Sequence, residues 1–128
     1  GLGMQYLEAM ASGLPVIACD WSANTDYLDS TNSYPVAYNL EYINDPNYLI
    51  KCIQALNSKW AQVNVEHLMA TMRHVVNNYS EAEEKADKAL AWVRRQTWQN
   101  MAVAFIKEIV TMFSPTILQE KEMETVQA

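Results

Sequence analysis

The first twenty residues, GLGMQYLEAMASGLPVIACD, set out a glycine loop, a short helix and a buried strand in that order. Gly3 stands just before a run, Met4 to Ser12, in which Tyr6, Leu7, Met10 and Ala11 fall on one helical face. Gly13 occupies the position where helices commonly stop in a left-handed residue. Leu14-Pro15 then leads into Val16-Ile17-Ala18-Cys19, a continuous apolar run of the kind buried on both faces of a parallel sheet. Pro15 lies at the strand entrance, where a missing N–H is tolerated. A helix that opens on glycines aims its first amides outward, as an anion site requires. Glu8, one turn further in, offers two acceptor oxygens, which suits a vicinal diol. The unit therefore fits a ligand with phosphates and a diol. No strand precedes the glycines, so the pattern reads as cut at its start.

The rest of the chain is helix-rich. Asp20-Trp21-Ser22 follows at the strand's carboxyl end, the ligand side of open α/β sheets. A helical turn is expected over 24–28, turn-forming residues over 29–33, and a second strand over Tyr34 to Leu40, with Pro35 near its start. Asp45-Pro46 is an N-cap followed by proline at the first helical position. It opens either a helix to about Leu56, with Leu49, Ile50, Ile53 and Leu56 inward, or an irregular excursion across the surface. From Val65 the period is helical: Val65, Leu68, Met69, Met72, Val75, Val76 and Tyr79 form one stripe, read as core. Ser80-Glu81-Ala82-Glu83 is a capping box before a helix to about Arg95, with Ala82, Ala86, Ala89, Leu90 and Val93 inward. Glu81–Lys85 and Glu84–Lys88 are spaced for outward pairs worth about 0.3–0.5 kcal/mol each. Thr97 caps a last helix with a stripe of Met101, Ala102, Phe105, Ile106, Ile109 and Phe113. Ser114-Pro115 is expected to end it. The organisation expected is one partial domain over 1–113 and an acidic tail over 114–128.

Charge and cysteine usage narrow the function classes. A net charge of −6, from nine Lys+Arg against fifteen Asp+Glu, argues against a nucleic-acid surface. It leaves nucleotide binding open, because helix-start amides hold phosphates without cations. Cys19 and Cys52 have no metal-like spacing and suggest no disulfide framework, which favours a reducing, cytoplasmic compartment. There is no signal peptide pattern and no apolar run long enough to cross a bilayer.

Residues 1–18, GLGMQYLEAMASGLPVIA, resemble the E-G-F-G-x-x-x-x-E-A-M-A-x-G-x-P-V-I-A stretch of retaining GT-B glycosyltransferases, the "group 1" family (family four). The run Trp60-Ala61-Gln62-Val63-Asn64-Val65-Glu66-His67-Leu68, then Met72-Arg73, is similar to the segment after that motif, and Thr97-Trp98 resembles an aromatic pair of the family's penultimate helices. The resemblance implies two Rossmann-like domains facing a cleft, of which this chain is the end of the C-terminal one: two parallel strands followed by several helices. It implies a nucleotide-sugar donor, UDP-, GDP- or ADP-linked, and transfer of the sugar to an acceptor with retention.

The family's signature is a pair of glutamates separated by seven residues. Glu8 matches the second, and the first would stand immediately before Gly1. By this resemblance Gly1, Leu2, Gly3, Met4 and Gln5 line the donor diphosphate and Glu8 accepts from the ribose hydroxyls. Many members carry proline where Gln5 stands; Gln5 restores an N–H at the helix start. No residue of the chain is expected to act as catalytic acid, base or nucleophile, and no metal or cofactor is implied. The fragment alone is expected to be inactive and to self-associate through an unpaired edge of Val16–Cys19.

Competing readings are weaker. GLGMQY lacks the third glycine of a dinucleotide fingerprint, since Tyr6 stands there. Asp20 and Asp26 are either ligand contacts or turn caps. His67 and His74 lie one heptad apart without a third metal ligand.

Overall fold

The computed structural model describes residues 2–52 and 55–126. The chain is a mixed α/β protein, rich in helix, and divides into two units, Gly1–Val93 and Arg94–Ala128.

In the first unit, helix α1 (Met4–Ala11) precedes strand β1 (Ile17–Cys19), and a 3₁₀ turn (Ala23–Asp26) leads towards strand β2 (Tyr34–Val36). β1 and β2 pair in parallel, with Ile17 opposite Tyr34 and Cys19 opposite Val36. Val16 and Ala18 are buried while Ile17 and Cys19 are only half-buried, so the run expected to be covered on both faces is fully covered on one. The register shows why Pro35 is tolerated. Tyr34 N donates to Val16 O and Val36 O accepts from Asp20 N, so both residues bond towards β1. Pro35 lies between them and turns its N-side to the free edge, where no ladder bond is lost.

The single strand expected over 34–40 is two. The chain breaks at Ala37, and strand β3 (Tyr38–Tyr42) leaves the parallel sheet to pair antiparallel with strand β4 (Lys59–Val63). β4 lies beyond the helix expected to about Leu56, in a stretch where no strand was anticipated. Short helix α2 (Pro46–Lys51) is capped as anticipated, Asp45 Oδ1 accepting from Asn47 N at 2.9 Å. It ends well before Leu56, which is exposed rather than inward. The expected inward placement of the Leu49, Ile50 and Ile53 side chains lies outside the described residues.

Helix α3 (Val65–Asn77) and helix α4 (Tyr79–Val93) are joined by one residue, Asn78. Asn64 Oδ1 caps α3 by accepting from His67 N at 2.9 Å. The capping box proposed at Ser80 is not formed, because Ser80 already lies inside α4 and a one-residue joint leaves no extended cap position there. Asn78 O takes the first amides of α4 instead, from Glu81 N and Ala82 N. Most of the stripe read as core on α3 is exposed, with only Leu68 and Val75 half-buried. Val65, Met69, Met72, Val76 and Tyr79 are exposed, and Thr71 is the buried residue of the helix. α3 packs on β2 and α4, and it reaches them with the face that carries His67, Thr71 and His74.

The core gathers Met10, Val16, Ala18, Tyr27, Leu28 and Ala89, flanked by Tyr6, Leu7 and Trp92. Ala82, Ala86 and Ala89 are buried as their spacing foretold, and these small side chains let α4 approach α1 closely. Burying Met10 fully is worth about 1.5–3 kcal/mol.

The second unit holds helix α5 (Trp98–Val126). Thr97 caps it as expected, its Oγ1 accepting from Asn100 N at 3.2 Å. The helix backbone runs through Ser114-Pro115, where a stop was expected. Phe105, Ile106 and Phe113 of its apolar stripe are exposed. No helix among the described residues is long and apolar enough to cross a membrane.

Candidate functional site

The turn into α1 is built on a left-handed glycine. Gly3 caps the helix with φ 79° and ψ 53°, the left-handed region where L side chains are strained. A Cβ there would also meet Tyr6 Cδ2 at 2.8 Å and Tyr27 Oη at 3.0 Å. Glycine at position 3 is thus favoured both by torsion and by space.

Tyr27 holds this turn from below. Its hydroxyl donates to Leu2 O at 2.6 Å and more weakly to Gly3 O at 3.2 Å. The ring stacks on Trp92 of α4, with centroids 5.6 Å apart and planes 22° from parallel. Burial, with Tyr6 adding to it, pushes the Tyr27 phenol above its ordinary pKa of 10.0, so it stays a donor. The sequence pattern did not single out Tyr27. Its signal was only an aromatic in a helical turn after the strand, and the contact spans 25 positions.

Above the turn, α1 carries no side-chain cap and no acidic residue in its first turn. Tyr6 N bonds back to Gly3 O at 2.9 Å. The first-turn amides and the helix dipole favour an anion there. Leu2, Met4, Gln5 and Glu8 are all exposed, so four of the expected contact residues share an accessible surface. Gly1 lies outside the described residues. The Glu8 carboxylate takes part in none of the described hydrogen bonds or ion pairs and is available as an acceptor.

Other groups sort more plainly. Asp20 and Asp26 are exposed, and neither carboxylate takes part in a described hydrogen bond. Trp21 and Tyr38, just past the carboxyl ends of β1 and β2, form an aromatic pair with centroids 5.1 Å apart. Burial, then the Asp20 charge, raises the Cys19 thiol above its ordinary pKa, which makes it a poor nucleophile. His67 accepts from Ala37 N, and His74 pairs with Glu81 at 2.9 Å. Among the described residues no group of three or more His, Cys, Asp or Glu could hold a metal ion.

No protein-family model, curated protein or solved structure matches the chain.

Proposed function

We propose that this chain is part of the nucleotide-sugar-binding domain of a retaining GT-B glycosyltransferase of hexosyltransferase type, acting in the cytoplasm. One observation carries the reading: a left-handed glycine turn opens an uncapped helix whose exposed face presents a free carboxylate one turn on. Diphosphate oxygens would meet the first-turn amides after Gly3. Glu8 would accept from the ribose diol. During transfer the departing diphosphate gains charge, and fixed amide dipoles stabilise such charge without reorganising. The reading is supported further by the order α1, β1, β2 with parallel pairing, which sets the amino end of α1 on the carboxyl side of the strands. Trp21 and Tyr38 lie on that same side and offer an aromatic surface to a base.

The test is amide NMR of the chain titrated with UDP, GDP and ADP. Shifts confined to 3–8 for at least one diphosphate, and weakened by Glu8→Gln, are expected. The absence of any shift in that turn for all three would remove the nucleotide-sugar reading. By itself the chain is expected to turn over no nucleotide-sugar, because no residue in this unit is assigned as acid, base or nucleophile.

A second reading rests on β1, which has one hydrogen-bonded neighbour among the described residues. A non-catalytic module could pair through that open edge with a second copy. Light-scattering chromatography across protein concentration distinguishes it, since such a module self-associates and leaves the Gly3–Glu8 amides unmoved by nucleotides.

A further inference from the structure

Helix α5 is the one described element of the second unit, and it exposes its apolar side. Trp98, Ala102, Phe105, Ile109 and Met112 recur along it in alternating steps of four and three residues. Such a repeat averages 3.5 residues and keeps one seam turned towards a second helix over its whole length. The seam is open: Trp98 is 90% exposed, Phe105 67%, and Phe113 beside it 55%. A single helix of this kind gains most of its stability from a packed face.

Three observations say what covers it. The first is size. At those exposures the three aromatics offer about 400 Å². Met101, Ile106, Ile109 and Met112 are exposed as well and roughly double that, which matches the ~800 Å² each partner gives to a stable interface. The second is charge. Exposed Arg94 and Arg95 precede α5, whereas the sequence of its far end carries Glu120, Glu122 and Glu124 against Lys121. Between Trp98 and Phe113 the charges are Lys107 and Glu108, which cancel. Two copies laid antiparallel set the basic end of each beside the acidic end of the other and oppose their helix dipoles. A parallel pair sets like ends together. The third concerns lipid. A helix lying on a membrane is rich in Lys and Arg on its polar face, and from Trp98 to Phe113 this one has Lys107 alone.

We propose that two copies of this chain pair through α5, antiparallel, with the Trp98–Met112 seam buried between them. The pair uses neither the α1 turn nor the β1 edge, so it stands or falls separately from both readings above.

Sedimentation equilibrium of the full chain tests it, with a dimer expected at a Kd on the order of 10 μM. Phe105→Glu and Ile109→Glu each put an unpaired charge into the seam and should weaken the dimer at least about thirtyfold. Val103→Glu, off the seam, should leave it unchanged. Arg94→Glu with Arg95→Glu should weaken it roughly fivefold, and less so at high salt. In mixed labelled and unlabelled samples, NOEs between copies should join the Trp98 ring of one to residues beyond Ile109 of the other. Circular dichroism confirms that each variant keeps its helix, and either folded seam variant suffices. The proposal is overturned if the chain stays monomeric well above that Kd, or if a folded seam variant dimerises like the wild type. It is equally overturned if Val103→Glu weakens the dimer as much as the seam variants, if the NOEs join Trp98 to Trp98, or if phosphatidylcholine–phosphatidylglycerol vesicles draw the chain out of the dimer.

Discussion

Replacing Gly3 by alanine should be the most damaging single-methyl change in the first unit. Alanine at φ 79° costs about 1–2 kcal/mol in backbone strain. The added Cβ would stand 2.8 Å from Tyr6 Cδ2 and 3.0 Å from Tyr27 Oη, and relieving that overpacking costs about 1–3 kcal/mol more. The sum, about 2–5 kcal/mol, is a large share of the stability of a small domain. At roughly 4–8 °C per kcal/mol, Tm should fall by at least about 8 °C. Urea denaturation of the chain provides the free energy.

Gly13→Ala is the internal control. Its φ is 69°, yet the nearest atom to a new Cβ is Leu90 Cδ2 at an ordinary 3.9 Å, so only the backbone strain of about 1–2 kcal/mol applies. Tyr27→Phe supplies the second arm of a cycle, because removing the hydroxyl frees the turn to shift and should reduce the cost of Gly3→Ala. A Gly3→Ala protein within about 0.5 kcal/mol of wild type, the range of neutral surface changes, would refute the reasoning. It would mean the turn is not pinned by Tyr27.

Two more predictions concern α4. Ala89→Leu forces a large side chain into a fully buried position against the α1 core and should destabilise by about 1–3 kcal/mol, read by urea denaturation, whereas Ala91→Leu at an exposed position of the same helix should change little. Glu81 has its pKa lowered from 4.5, first by the hydrogen bond from His74 and then by the charges of His74 and Lys85. A depressed folded pKa contributes stability above the unfolded value and loses it as pH falls through the folded one. The stability gap between wild type and Glu81→Gln should therefore close below about pH 4.5 in denaturation series; a gap that widens on acidification would contradict the assignment.

Much of the fold could be read locally. Gly3, Gly13 and the apolar stretch before Asp20 gave the helix and the strand, since torsion at glycine and apolar continuity are short-range properties. Asp45 and Thr97 gave their caps for the same reason. The alanines of α4 showed their buried face through spacing alone.

Long-range pairing was not legible. Ala37 gives no sign that β3 turns away to meet β4, a partner more than twenty positions on. The methionine-rich face of α3 has the stronger apolar period, yet the helix buries Thr71 and sets His67 against the backbone N–H of Ala37, a long-range contact that no local period announces.

The sequence by itself determined the opening of α1: a glycine torsion, a helix dipole and a carboxylate one turn along depend only on neighbours in the chain. Tertiary structure alone decided that Tyr27 would clamp that turn, that His67 would meet the Ala37 amide and that Lys85 would meet the Ser30 carbonyl. Those contacts join residues tens of positions apart. Which distant groups meet is set by how whole elements pack, and no local pattern encodes it.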